Sequence, residues 1–383
     1  MNNIDKMNDI DRMNDIDRMN DINKMNETEN LNDTYEISEI YSLIDKLEKI
    51  HSLSPLEWKK VLSGLSDETR EYAAKKARAV ADSVYGKDIY IRGIVEFSNI
   101  CKNNCYYCGI RAGNEKLDRY RLTEEDILEC CRAGYSYGFR TFVLQSGEDL
   151  HYSTEQMCRI ISEIKSEFPE CAVTLSIGEK TFEEYKAYKE AGADRYLLRH
   201  ETANKAHYEK LHPEEMSWDN RMRCLRDLKK LGYQTGCGIM IGSPYQTVDC
   251  LVDDMVFMSE FSPEMIGLGP FLPHSDTPFK DEPKGSYDMT LYLISLCRLM
   301  LPRVLLPATT ALGTICPRGR EEGVLAGANV IMPNLSPVSV RNKYMLYDNK
   351  ICTGDSSGEC RGCIERRMES IGYNVVITRG DYK

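Results

Sequence analysis

Three cysteines, Cys101, Cys105 and Cys108, stand at C-x3-C-x2-C spacing in the segment EFSNICKNNCYYCGIR, residues 96–111. Three thiolates this close in sequence can cap three irons of a cubane iron–sulfur cluster, which leaves the fourth iron without a protein ligand. An iron with an open position can bind a small molecule, whereas a cluster ligated by four cysteines mainly moves electrons. Zinc is the competing reading, although structural zinc sites usually take four ligands in paired C-x2-C spacing. A second set, Cys352, Cys360 and Cys363, has C-x7-C-x2-C spacing. It reads either as a further metal site or as reactive thiols.

The first set needs a scaffold, and the pattern around it is one of alternating strands and helices. Short β-branched runs predict strands near 89–97, 141–145, 172–176, 195–198, 234–240, 265–268, 304–307 and 330–332. Helical stretches lie between them, at 124–137, 154–167, 182–191 and 247–261, with Gly138, Gly192, Gly232 and Gly327 at helix ends. Eight strands in this alternation predict an α/β fold, a (β/α)8 TIM barrel, with a doubly wound open sheet as the alternative. Such folds place chemistry at the C-terminal ends of the strands. The residues expected there are polar or glycine-rich: Gln145-Ser146-Gly147-Glu148, Ser176, Arg199-His200-Glu201, Gly269-Pro270, Thr309-Thr310 and Pro333-Asn334. The cysteine loop follows the first strand, so the cluster is expected at the mouth of the barrel.

The chain has 383 residues, of which 42% are hydrophobic, enough for one barrel with extensions. The expected organisation is a disordered low-complexity tail over 1–35, N-terminal helices over 36–86, the barrel over 87–335 and a cysteine-bearing C-terminal segment over 336–383. The tail repeats the unit MNDIDR, rich in helix-poor Asn and Asp. In the helical extension, Ser54-Pro55 and Ser66 or Asp67 stand where caps are wanted. A net charge of −11 argues against a nucleic-acid partner. With no apolar signal core and no apolar run of membrane-spanning length, the expectation is a cytoplasmic protein with reduced thiols. Cys130, Cys158, Cys171, Cys224, Cys250 and Cys297 then read as small buried hydrophobes.

The cysteine spacing, with aromatic Tyr107 directly before Cys108, resembles the signature of the radical S-adenosylmethionine (SAM) superfamily. That resemblance implies a [4Fe–4S] cluster on Cys101, Cys105 and Cys108, with the open iron chelating the amino and carboxylate groups of SAM. It implies that Gln145, Ser146, Gly147 and Glu148 form the glycine-containing SAM motif. Glycine there allows close backbone approach, and an acidic group can neutralise an ammonium. Ser176, Glu201 and Arg221 are implied contacts for the SAM ribose and carboxylate, joined by Arg199 and Tyr344. Arg199 and Glu201 can equally pair with each other.

The run from about 88 to 363 is similar to the HydE family, radical SAM maturases that help build the H-cluster of [FeFe]-hydrogenase. The segments that carry the likeness are the cysteine loop, VLQSGED (143–149), ADRYLLRHETAN (193–204), GPFLPHSDTP (269–278), LPATTALGTI (306–315) and GANVIMPNLSP (327–337). The likeness implies a small organometallic substrate bearing iron and cysteine, supplied by the sister maturase HydG. It also implies work alongside HydF and an electron donor such as flavodoxin or ferredoxin. Some members carry a second iron–sulfur cluster on the pattern of Cys352, Cys360 and Cys363. The substrate pocket is expected to involve Thr309, Thr310, Met332, Asn334 and Tyr347, with His274 more simply satisfied within its own loop. Competing readings are a biotin synthase-like or methylornithine-type enzyme, a non-catalytic carrier of an iron–sulfur or iron–cyanide unit, and a zinc protein. Deleting residues 1–30 is expected to leave SAM cleavage intact, and a truncated protein that yields no 5′-deoxyadenosine would show the tail to be part of the machinery.

Overall fold

The computed structural model describes residues 36–354 and 356–383, so the expected tail over 1–35 lies outside the described residues. Three helices come first: α1 (Ile37–Ile50), α2 (Pro55–Ser63) and α3 (Asp67–Tyr85). Ser54 and Glu57 close a capping box with Pro55 in the first turn of α2, and Ser66 and Thr69 do the same for α3. The apolar stripe Ile40, Ile44 and Leu47 of α1 is buried, as its helical spacing requires.

The centre is a six-stranded parallel sheet in sequence order: β2 (Gly93–Ser98), β3 (Thr141–Ser146), β4 (Ala172–Ser176), β5 (Arg195–Leu197), β6 (Gln234–Ile241) and β7 (Met265–Pro270). Between successive strands run α4 (Glu124–Ser136), α5 (Thr154–Glu167), α6 (Phe182–Glu190), then α7 (Lys205–Leu211) with α8 (Trp218–Lys230), and α9 (Val248–Phe261). Parallel neighbours need such crossovers, and helices on the sheet let its strands be apolar on both faces. After β7 come α10 (Tyr287–Met300), α11 (Thr310–Ile315), α12 (Gly319–Leu325), β8 (Val330–Ile331), α13 (Val338–Arg341), α14 (Ser357–Glu369) and β9 (Asn374–Val376). Of the cysteines expected to pack as small hydrophobes, Cys130, Cys171, Cys224, Cys250 and Cys297 are buried and Cys158 is half-buried.

Two strands differ from expectation. The run 89–97 divides at Arg92 into β1 (Asp88–Ile91) and β2. β1 belongs to a second parallel sheet of order β8-β1-β9, because Asp88, Ile89 and Tyr90 pair with Asn374, Val375 and Val376, while β3 begins pairing only at Gly93. The run 304–307 makes isolated parallel bridges, Met265 to Leu305 and Pro307 to Val330, rather than a strand. Pro307 has no N–H to give a ladder. Beside it, the Leu306 N–H donates not to a strand carbonyl but to a side chain, Asn329 Oδ1, at 3.0 Å. Arg298 then fixes Asn329, donating to its Oδ1 at 3.0 Å, to the Gly327 carbonyl at 2.9 Å and to the Pro302 carbonyl at 2.8 Å. A further bridge joins Ile94 to Asn334.

Beyond β9 the chain runs beneath the N-terminal ends of the central strands. Thr141 and Arg195, the first residues of β3 and β5, both donate to the Arg379 carbonyl, at 2.7 and 2.9 Å. Arg92 donates to the Gly380 carbonyl, and Arg195 pairs with Asp381. The cysteine loop leaves the opposite, C-terminal end of β2, and Arg92, which this segment holds, lines the cavity described below.

Replacing Arg298 by Met is expected to cost about 2 kcal/mol, since it takes this donor from the buried Gly327 carbonyl and the half-buried Pro302 carbonyl and leaves Asn329 Oδ1 with the Leu306 N–H alone. Chemical denaturation checks this, and an unchanged midpoint would show that Asn329 is held without it.

Candidate active site

Residues 99–121 form an irregular loop held by a few polar side chains. Arg119 donates to four carbonyls, those of Asn99, Ile110, Arg111 and Asn114, at 2.6–3.1 Å. Asn99 spans the loop and the C-terminal segment by donating to the carbonyls of Asp118 and Lys343. His274 packs over Gly109, where a Cβ would lie 2.3 Å from its ring, and its Nδ1 accepts from the Asp276 N–H. It is thus satisfied within its loop, and it does not line the cavity.

Cys101, Cys105 and Cys108 all line one cavity of about 390 Å³. That size falls in the range of small-molecule sites, roughly 300–1,000 Å³. Burial pushes the Cys101 thiol up, the Cys108 thiol up to about 12, and the Cys105 thiol well above its ordinary value. Neutral thiols are poor ligands, and metal cations are what stabilise buried thiolates. Among the described residues no three His, Cys, Asp or Glu side chains group tightly enough to hold a single metal ion. A cubane cluster asks something different, with each thiolate meeting its own iron.

The end of β3 closes on this loop. Glu148 N–H donates to Cys101 Sγ at 3.4 Å, and Lys102 N–H donates to the Glu148 carbonyl at 3.0 Å. Gly147 is needed here, since a Cβ would sit 2.3 Å from the Ile100 carbonyl oxygen and 2.7 Å from Cys101 Cβ. Amide hydrogen bonds to sulfur are a lever on cluster potential.

The structure brings the predicted SAM-contact residues Gln145, Ser146, Gly147, Glu148, Ser176, Arg199, Glu201, Arg221 and Tyr344 to the same cavity. Their partners differ. Arg199 Nη2 and Glu201 Oε2 are 3.0 Å apart, yet neither atom has an aligned hydrogen bond, and Arg199 Nε has none either. These buried polar atoms are open to a polar ligand. Arg221 is engaged, donating to Glu179 Oε1 at 2.5 Å and to the Arg199 carbonyl at 2.6 Å. The Glu148 carboxylate is also engaged, by Glu179 N–H at 2.9 Å and Lys102 Nζ at 3.2 Å, so its negative charge is partly met before any ammonium arrives. Tyr344 hydroxyl accepts from Gln145 Nε2 at 3.3 Å.

Of the expected substrate residues, Thr309, Thr310, Met332 and Tyr347 line the cavity, and Thr309 Oγ1 is buried with no hydrogen-bond partner among the described residues. Asn334 lines a smaller cavity of about 40 Å³ instead, together with Cys352, Cys360 and Cys363. Its Nδ2 is spent on Glu96 Oε2 at 2.7 Å. Cys360 and Cys363 stand on α14, and Cys352 Sγ is 3.5 Å from Arg320 Nη2. Between the two cavities stands a pair that sequence reasoning missed. Lys350 Nζ donates to Glu96 Oε1 at 2.6 Å and to the Tyr344 carbonyl at 2.9 Å, and both charged residues line both cavities. Arg119 and the cavity-lining Arg92 were also missed. Nothing in their sequence surroundings marks them, because Arg92 works through groups far away in the chain and Arg119 through backbone carbonyls of an irregular loop, which carry no side-chain signature.

The family model of the radical SAM superfamily matches residues 95–258, from β2 to α9. The [FeFe] hydrogenase maturase subunit HydE of Thermotoga maritima is 49% identical over 298 residues, 78% of this chain and 85% of that protein. The chain belongs to the HydE family. More distant within the superfamily, the 3-methylornithine synthase of Methanosarcina barkeri is 30% identical over 330 residues, covering 86% of this chain and 92% of that protein. The crystal structure of methylornithine synthase (PylB) matches with a TM-score of 0.76 at 28% identity, over 87% of this chain and 97% of that one. HydG, a maturase of the [FeFe]-hydrogenase, matches with 0.75 at 22% identity, over 90% and 77%, a likeness of fold alone. For a HydE-family chain, membership of the superfamily brings with it a [4Fe–4S] cluster and SAM.

Gly147→Ala is expected to lower the iron retained per chain after anaerobic reconstitution severalfold, because its Cβ would push the cysteine loop off β3. Iron content like that of the unaltered protein would show the loop to be more yielding than its contacts.

Proposed function

We propose that this HydE-family chain cleaves SAM reductively at a [4Fe–4S] cluster on Cys101, Cys105 and Cys108, and acts on a small organometallic iron–cysteine substrate during [FeFe]-hydrogenase assembly. The observation that carries this reading is three thiols on the wall of one cavity shared with the unmet polar atoms of Arg199, Glu201 and Thr309. When bound, the reduced cluster supplies one electron to SAM, and cleavage of its carbon–sulfur bond yields a 5′-deoxyadenosyl radical. The chain's residues position the reactants and keep water out.

The roles follow from the partners. The Gly147 backbone forms a close wall beside Cys101. Arg199 and Glu201 bind the polar groups of SAM, with Ser176 beside them. Arg221 holds Glu179 and the Arg199 carbonyl, Glu148 offers a carboxylate to the SAM ammonium, and Gln145 and Tyr344 line the same wall. Thr309, Thr310, Met332 and Tyr347 face the substrate, and Asn334 acts through Glu96. Cys352, Cys360 and Cys363 hold a second iron–sulfur cluster.

The isolated bridges at Leu305, Pro307 and Asn334 support closure of the six strands through residues 304–307 and β8 into an eight-stranded barrel over 87–335, with the helices of 36–86 and the segment 336–383 added to it. HydG, HydF and a flavodoxin or ferredoxin are the proposed partners. Among the described residues no helix is long and apolar enough to cross a membrane.

Anaerobic reconstitution, followed by reductant and SAM, tests the reading, with 5′-deoxyadenosine measured by chromatography. Cys105→Ala is expected to abolish the product, and Cys360→Ala to remove only the iron of the second site. Product from Cys105→Ala would sink the cluster assignment. No product from a fully loaded, reducible protein would make the chain a carrier.

A further inference from the structure

Directly behind Arg199 and Glu201 lie two buried ionisable side chains that the proposed chemistry does not use. His200 and Asp254 are both fully buried, and neither lines the cavity. Burying such a pair is unfavourable unless other bonds compensate, so its place calls for a reason.

The backbone supplies one. Glu201 adopts a left-handed φ of +64°, which a residue with a side chain rarely takes. A residue held that way must be tied down by its surroundings. Glu201 N–H donates to the Gly238 carbonyl at 3.0 Å, and the Gly238 N–H donates to His200 Nδ1 at 3.3 Å. One residue of β6 therefore grips both members of the turn. A Cβ on Gly238 would lie 2.1 Å from the Gly267 carbonyl oxygen, so this point of β6 is itself pressed against β7.

The grip fixes the imidazole chemically. Because Gly238 N–H is a donor, Nδ1 must be bare, and the ring proton belongs on Nε2. Nε2 lies 3.3 Å from Asp254 Oδ1, near enough for electrostatic attraction though not aligned as a hydrogen bond. The same carboxylate oxygen accepts from Ala203 N–H at 2.5 Å, and the neighbouring Asp253 accepts from Asn204 Nδ2 at 2.8 Å. Phe257 closes the pocket with its ring 4.7 Å from that of His200. Residues 200–204 are thus pinned to β6 on one side and to α9 on the other.

We propose that His200 and Asp254 are positioning residues for SAM, holding the turn at the end of β5 so that Arg199 and Glu201 present their unmet polar atoms to the cavity. This rests on the reading that Arg199 and Glu201 contact SAM. The pair touches neither SAM nor substrate and acts through the backbone of Glu201. Its loss lets the turn relax and leaves the cysteine loop, which lies on another strand, undisturbed.

The test uses the full-length reconstituted protein, with SAM affinity measured by anaerobic calorimetry and the reduced cluster observed by electron paramagnetic resonance with and without SAM. His200→Leu is expected to weaken SAM binding about tenfold or more and to blunt the SAM-induced spectral change. Its iron content and SAM-free spectrum should stay the same. His200→Asn, whose amide oxygen can stand where Nδ1 accepts from Gly238, should retain affinity within about threefold. Asp254→Asn should fall between them. Combining His200→Leu with Glu201→Gln should weaken binding no more than the stronger single change, as expected for groups acting through one another. Unaltered SAM affinity in His200→Leu would overturn the proposal, as would equal affinities in His200→Leu and His200→Asn. If His200→Leu does not fold, His200→Gln takes its place, and a Gln variant as tight as the Asn variant is the overturning result. Normal SAM binding by Glu201→Gln alone would instead defeat the underlying contact reading.

Discussion

Three thiols share one cavity wall, and their surroundings favour the neutral form until positive charge arrives beside them. Much of the site's architecture serves that condition. The loop bearing the thiols has no regular structure, so it borrows rigidity from Arg119, from Asn99 and from the packing of His274 over Gly109. The end of β3 then lends an amide to Cys101 Sγ and a side-chain-free surface at Gly147. The irons of the proposed cluster would complete the electrostatics that burial leaves unbalanced.

The polar groups around the cavity follow a similar logic of compensation. Glu148, Arg221 and Glu96 are each committed to partners, whereas Arg199 and Glu201 meet only each other, without hydrogen-bond alignment, and Thr309 Oγ1 has no hydrogen-bond partner among the described residues. Committed groups build the wall, and uncommitted ones are where a ligand gains most, since filling an unpaired buried donor or acceptor removes a standing penalty. The Lys350–Glu96 pair separates the larger cavity from the one beside Cys352, Cys360 and Cys363, and its charges lie where both can sense them.

The sequence was most readable where the information is local. C-x3-C-x2-C spacing, capping residues and β-branched runs are read over a few positions, and the cysteine loop, the helix starts and six of the strands were legible from them. It was least readable where a long-range partner decides. Residues 89–97 look like one strand, but β9, nearly three hundred residues later, takes the edge of the first part. Residues 304–307 look like a strand, but Pro307 lacks a donor and the Leu306 N–H turns to the side chain of Asn329. The polar residues after the strands were found because fold geometry gathers them. Lys350 and Arg92 are silent in the sequence because tertiary structure gives them their charged or distant partners, and Arg119 because its partners are loop carbonyls that any residue could supply.

The pairing of β1 with β9 also sets an order of events during synthesis. The edge of β1 that β9 will cover is made some 280 residues before its partner exists. At typical translation rates that is an interval of roughly 15–60 s. Through it the nascent chain carries an open strand edge, the feature most prone to joining a neighbour. The charged Asp88 at the start of this edge and the shortness of the strand limit that hazard, and the sheet β8-β1-β9 is complete only once β9 has been made.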